Sequence, residues 1–417
     1  MTLFGGFTPP AARANLRGVF HGIYFLAAEK STKKRREIKK LLIFVITKKQ
    51  NKFNLQIITS MRQQNYKKDF NGQNIFVGID VHLKTWSVSV ALPGGYLKTH
   101  TQKASAKELF EHLKKNYPNG TYHAVYESGF SGFSTCFALR ELGVDCIIVH
   151  AADVPTTQKE KVTKSDPTDS RKLARSLMSG ELEGIYVHSK DNLDDRGLLR
   201  HRTMLLKLSG GIKSRIKHLL YNNGVVYPEE FTQNSKHWSR RFISWLQHDV
   251  QLLSETRVTL DLLIGELLYF RARILDVNKK IRTLALADRY REQYENLISI
   301  PGIGAVVSMC LLTEIDDIWR FSNQRQFASF LGLVPVMQAS GDNCYIGEKT
   351  FRGNKNLGPK IIEASWITIR HDAELASKFG YLCNKGMKRN KAIVRIARKL
   401  SNIIFTILRR NRKYVCR

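Results

Sequence analysis

The chain of 417 residues carries 67 Lys plus Arg against 36 Asp plus Glu, a formal net charge of +31, and an excess of that size implies a polyanionic partner. With 43% hydrophobic and 10% aromatic residues the chain can bury real cores, which excludes wholesale disorder, and its length predicts two or three domains. The longest uninterrupted apolar stretch, Leu41 to Ile46, is too short to span a bilayer, the N-terminus lacks the order of a secretory signal, and six scattered cysteines without a Cys-x-x-Cys pair argue against zinc or a disulfide scaffold.

Residues 1–60 hold 12 Lys plus Arg and only Glu29 and Glu37 as acids, without a sustained period. They are expected to lie outside the fold, either upstream of a translation start at Met61 or as a basic nucleic-acid-binding arm. From Asn74 strand signals begin. Ile75 to Val81, Trp86 to Ala91 and Tyr96 to Gln102 predict a three-strand meander with a turn at Pro93-Gly94-Gly95. Ser105 to Asn116 follows with a serine cap and Glu108 at capping-box spacing. His123 to Glu127 and Asp145 to His150 read as strands, Ser131 to Leu142 and Asp166 to Ser179 as helices. The order βββαβαβα over residues 74–185 is that of a mixed, helix-covered sheet of the ribonuclease H-like fold.

Over 190–292 the pattern turns helical. Leu253, Thr256, Leu260, Leu263, Leu267, Phe270, Ile274, Val277, Ile281 and Leu284 alternate steps of three and four, which predicts a coiled coil. An earlier stripe of Leu205, Leu208, Ile212, Ile216 and Leu219 leaves two options open, a helical hairpin within the chain or pairing between chains; Gly210-Gly211 weakens that first helix. A third, mostly helical unit, 296–417, opens with the turn Ile300-Pro301-Gly302-Ile303-Gly304 and ends in a basic helix. There Ile393, Ile396, Leu400, Ile403 and Ile407 form a stripe beside Lys388, Arg389 and other cations. With no second membrane anchor, that helix fits nucleic acid better than lipid.

Four carboxylates are candidates for chemistry. Asp80 sits inside an apolar strand, where a bare charge costs several kcal/mol, so it must be solvated, paired or bound to metal. Glu127 ends the fourth strand, a parallel neighbour of the first in this fold, and Asp166 and Asp169 stand three apart at a helix start. Standing by itself, that pair reads as a helix cap plus a dipole-complementing acid. Together, on one sheet edge, the four would repel one another until a divalent cation, Mg²⁺ or Mn²⁺, relieved them, and two such ions can clamp the oxygens of a phosphodiester. The Gly302 and Gly304 turn resembles a helix-hairpin-helix whose amides approach a DNA phosphate, though a plain tight turn explains it nearly as well. Lys349, Arg352 and Lys355 add basic charge after Gln338-Ala339-Ser340-Gly341-Asp342, in which Ser340 by itself reads only as turn chemistry.

Taken in order, Gly78-Ile79-Asp80-Val81, Tyr126-Glu127-Ser128-Gly129, Lys164-Ser165-Asp166-Pro167-Thr168-Asp169, Ile300-Pro301-Gly302-Ile303-Gly304, Phe327 to Pro335, Ala339-Ser340-Gly341 and Arg352-Gly353-Asn354 resemble the DEDD transposases of insertion sequences, the insertion-sequence one-ten family. The resemblance covers about Ile75 to Leu408. It implies a RuvC-like domain whose metal-binding tetrad is Asp80, Glu127, Asp166 and Asp169. It also implies a C-terminal transposase domain in which Ser340 is the nucleophile that forms a phosphoserine link to DNA. Implied with these are an element-encoded guide RNA, a homo-oligomer in which the tetrad of one protomer faces the serine of another, and a cytoplasmic, nucleoid-associated bacterial enzyme. Residues 1–60 have no counterpart in that pattern. The rivals are a hydrolytic structure-specific nuclease, which shares the tetrad but uses water, and a decayed, purely nucleic-acid-binding protein. An actin-like kinase also begins with Gly-Ile-Asp-Val, but His82 stands where its phosphate-binding glycine belongs.

Overall fold

The computed structural model describes residues 69–156, 165–340, 343–349 and 353–416, with the stretches 336–340 and 343–349 followed by backbone alone. The basic extension 1–60 lies outside the described residues, as do Gly341, Asp342, Arg352 and the side chains of Ser340 and Lys349. Two compact units meet in sequence between Val187 and His188.

In the first unit, runs of Val, Ile and aromatic residues form strands β1 (Asn74–Val81), β2 (Thr85–Leu92), β3 (Tyr96–Lys103), β4 (Thr121–Glu127) and β5 (Asp145–Val149). They assemble in the order β3-β2-β1-β4-β5. The meander β1-β2-β3 is antiparallel, while β4 runs parallel to β1 and to β5. This is the mixed sheet expected from the sequence. Helix α1 (Ala106–Asn116) starts on Ser105, whose hydroxyl accepts from the Glu108 N–H, and buries Leu109 and Leu113. Helix α2 (Ser134–Glu141) buries Cys136 and Leu139 in the same core, with Ile75, Val77, Ile79, Val88 and Tyr126.

The opposite face of the sheet is covered by α3 (Asp166–Met178), and its closeness has a specific cause. A methyl group on Gly78 would stand 2.1 Å from the Ser170 carbonyl oxygen and 2.4 Å from the Ala174 nitrogen, so only glycine in β1 lets the helix lie this near. The fully buried Ser170 hydroxyl pairs with those of Ser89 at 2.8 Å and Ser87 at 3.2 Å, which fixes α3 on β2 as well.

The second unit is largely helical: α4 (Lys190–Asn222), α5 (Arg240–His248), α6 (Ser254–Ala285), α7 (Asp288–Ile298), α8 (Ala305–Ile315), α9 (Gln324–Phe330), α10 (Gly358–Thr368), α11 (Ala373–Asn384) and α12 (Arg389–Arg410), with one hairpin, β6 (Pro335–Ser340) and β7 (Asn343–Lys349). Leu199 and Leu205 share a core with Val277, Ile281 and Ala285, whereas Ile212, Ile216 and Leu220 share another with Leu260, Ile264 and Leu267. Helices α4 and α6 therefore run antiparallel within one chain, the hairpin alternative of the two that the heptads left open. Helix α4 continues unbroken through Gly210-Gly211; burial of its apolar face outweighs the roughly 1 kcal/mol that each glycine costs. Leu208, placed in the buried stripe by the sequence, is instead exposed, and at the end of the stripe Leu220 rather than Leu219 is fully buried. The root of this hairpin is built into one core with α7 to α10 and α12. Ile393, Ile396, Leu400 and Ile407 are buried, as the stripe on α12 predicts. Among the described residues no helix is long and apolar enough to cross a membrane.

Candidate functional site

The register of β1 and β4 pairs Ile79 with Tyr126, so the next residues, Asp80 and Glu127, leave the same edge of the parallel pair. Helix α3 presents its first turn to that edge, because Gly78 lets it dock, and the first turn holds Asp166 and Asp169. Four carboxylates thus come from three elements. Asp80 is one-quarter exposed, and burial pushes its carboxyl up from the ordinary value; His82 works against that shift, while the charges of Asp166 and Asp169 add to it.

Two side chains that the motifs did not single out join the carboxylates. His82 Nε2 lies 3.3 Å from Asp80 Oδ2 and 3.2 Å from Asp166 Oδ2, and these three residues can offer ligand atoms within 4.8 Å of one another. The Lys172 ammonium is 3.4 Å from Asp169 Oδ1 and 4.0 Å from Glu127 Oε1. The tetrad is therefore gathered in two halves, Asp80 with Asp166 through an imidazole and Glu127 with Asp169 through a lysine. Lys172 had a periodic signal, three residues after Asp169 on a helix, whereas His82 lies one residue past the end of β1, two after Asp80. The donor set fits a hard divalent cation, since it is rich in carboxylate oxygen and since burial, with the charges of Asp166 and Asp169 adding to it, disfavours the ionised form of Asp80. Asp80 and Asp166 would hold such an ion, with His82 at hand as a nitrogen donor.

The remaining candidates lie in the second unit. Ser340 ends β6, paired in register with Asn343, at the turn end of the hairpin. Gly302 has φ +90°, and a methyl group there would meet the Ala364 carbonyl oxygen at 2.5 Å. Its close approach is thus to α10, an intramolecular contact reinforced by the Thr368 hydroxyl donating to the Pro301 carbonyl at 2.7 Å. Gly304, which opens α8, has free space around it. Lys355, Lys388 and Arg389 are exposed, and the Arg389 guanidinium lies over the rings of Trp366 and Phe379, 6.0 and 5.8 Å from their centroids.

A sheet ordered 3-2-1-4-5 with carboxylates at the end of its first and fourth strands defines a ribonuclease H-like, RuvC-like enzyme domain. Comparison with known proteins narrows this. Residues 77–222 match the model of the DEDD transposases of the IS110 group, described as "Transposase", and residues 294–380 match that described as "Transposase IS116/IS110/IS902 family". A Sinorhizobium fredii protein named as a transposase, y4qE, is 22% identical over 81% of this chain and 89% of its own length. The transposases for insertion sequence element IS1111A of Coxiella burnetii and IS1533 of Leptospira borgpetersenii are 25% and 26% identical, each over 61% of this chain and 70% and 73% of their own lengths. The chain belongs to the IS110/IS116 family of transposases, enzymes that act on DNA.

Proposed function

We propose that this transposase cuts and rejoins DNA with Ser340 as nucleophile, assisted by a divalent cation at Asp80, Glu127, Asp166 and Asp169, and directed by a guide RNA that its element encodes. The observation that carries the proposal is the convergence of the four carboxylates on one sheet edge of the first unit; the second unit separately holds a serine at the turn end of a hairpin. In the cleavage step the serine Oγ forms a bond to phosphorus as the bond to a sugar oxygen breaks. The serine proton passes to solvent or a nearby base, and the departing sugar oxygen takes one up. The phosphoserine conserves the bond energy, so a hydroxyl of the new strand can reverse the step and restore the serine. A cation bound by the carboxylates supplies neutralisation of the charge that develops on phosphate. Mg²⁺ is the ion we assign, with Mn²⁺ as its substitute.

The division into a RuvC-like domain over 74–185, a helical arm over 190–292 and a transposase domain over 296–417 belongs to the same proposal. So does a homo-oligomer built on the arm. A groove along α4 and α6, about 1180 Å³, is lined by Met204, Leu208, Val258, Leu262 and Tyr269 with Arg215, Asp261 and Glu266 at hand. Apolar walls with both signs of charge suit a second copy of the same arm. Gly302, Gly304, Lys349, Arg352, Lys355, Lys388 and Arg389 are assigned to nucleic-acid contact, Gly302 by shaping the turn.

The test is incubation of the full chain with Mg²⁺, co-expressed element RNA and labelled junction DNA. A labelled band that survives denaturation and is absent in Ser340→Ala is the expected result. Cleavage without an adduct would instead identify a water-using nuclease, and omission of the RNA without effect would remove the guide.

A further inference from the structure

One carboxylate of the second unit is held almost wholly out of water, far in sequence from everything that binds it. Glu314, in the last turn of α8, is 4% exposed. Arg200 of α4 reaches it through Nε at 2.9 Å and Nη2 at 3.0 Å. Asn354 Nδ2 donates to Oε2 at 3.0 Å, and Asn356 Nδ2 to Oε1 at 3.2 Å. The bidentate arginine already neutralises the charge, so the two asparagines occupy lone pairs left over for direction rather than for charge.

Those asparagines stand at the root of the β6–β7 hairpin. Its two legs meet where a methyl group on Gly353 would lie only 2.2 Å from the Gly332 Cα, and immediately beyond, the Asn354 N–H donates to the Phe330 carbonyl at 2.7 Å. The Asn354 Oδ1 accepts from the N–H groups of Asn356 and Leu357 at 2.8 and 3.1 Å, which starts α10. Asn354 thus ties one leg to the other, to a helix start and, through its remaining amide, to Glu314.

We propose that Glu314 is a positioning residue: by taking Asn354 and Asn356 it fixes the root of the β6–β7 hairpin and so the place that Ser340 occupies. Its consequence for the reaction rests on Ser340 being the nucleophile; the fixing of the hairpin does not. A serine that must meet a phosphate in line tolerates little displacement, and about 1 Å of misplacement can cost about a hundredfold in rate.

An exchange of donor and acceptor tests this in the full chain. Asn354→Asp keeps the Oδ1 acceptor for Asn356 and Leu357 but sets carboxylate against carboxylate. Adding Glu314→Gln returns a donor from the other side, restoring the bond with its direction reversed. In Asn354→Asp, amide exchange over 335–349 is expected to quicken about tenfold or more. Adduct formation should fall about a hundredfold, while affinity for DNA stays unchanged. The double variant should recover both. Unchanged exchange in the single variant, a loss of DNA affinity that accounts for the slower adduct, or no recovery in the double variant would each overturn the proposal and leave Glu314 a packing residue. Exchange that quickens and recovers while no Ser340 adduct forms even in the unsubstituted chain would sustain the positioning role and sink the nucleophile.

Discussion

In the proposed reaction, Asp80 is the side chain on which the chemistry of the first unit turns. Its charge is opposed by burial and by two neighbouring aspartates, with His82 the nearest compensation. A carboxyl raised above its ordinary value makes the fold less stable once ionised, so that cost is present at neutral pH and fades as pH falls through the raised value. Asp80→Asn is therefore expected to raise the melting temperature of the metal-free protein by a few degrees while lowering strand cleavage by about a thousandfold, in the range of losses seen when preorganised charge stabilisation is removed. Calorimetry and a cleavage assay on the same preparation check both halves; a fall in both would show that the ionised carboxylate is needed for folding. His188 gives the opposite sign. Burial, then the charges of Arg196 and Arg320, holds its imidazole down at about 4 against 6.5. Its contribution is fully present above pH 6.5 and lost as pH falls toward 4, on the order of 3 kcal/mol. A melting profile between pH 7 and 4 should be flatter in His188→Gln.

Among elements, α3 is the one whose position decides the site. Gly78→Ala places a methyl group inside the backbone of that helix, so α3 must lift and carry Asp166 and Asp169 away from Asp80. A stability loss of about 1–3 kcal/mol is expected from overpacking, with cleavage reduced further than the change in folding accounts for; denaturant titration beside single-turnover kinetics separates the two. Much of this was legible in the sequence. Strand alternation and the Ser105 cap set the sheet and α1, and the spacing of Asp166 and Asp169 put both in one helical turn. The rest depends on contacts that local pattern does not carry. Glu314 meets Arg200 and Asn354 across separations of 114 and 40 residues, and nothing around any one of them announces the others. Lys172 was legible by helical period and His82 only by its nearness to Asp80 in the chain, but imidazole and ammonium do not look like parts of an acidic tetrad until the fold shows what they separate. Gly210-Gly211 misleads for the converse reason, since tertiary burial overrides local propensity.

For the whole molecule, charge is the dominant property. A net +31 predicts that binding to unrelated duplex DNA weakens by roughly 10³–10⁵ between 50 and 200 mM salt if about six to ten phosphates are neutralised. Replacing Lys388 and Arg389 together with alanine should reduce the slope of log affinity against log salt by about 2, measurable by fluorescence anisotropy; an unchanged slope would move that contact elsewhere. The antiparallel pair of α4 and α6 has a further consequence. A helix of 33 residues extends about 50 Å at 1.5 Å per residue, and its far end carries a separate small core with Phe231, Phe242 and Leu246. The pair is a ruler about 15 base pairs long at 3.4 Å per step, so whatever grips its tip is held at a set spacing from the helical core at its root, and shortening both helices by whole turns would reset that spacing in steps of about 5 Å.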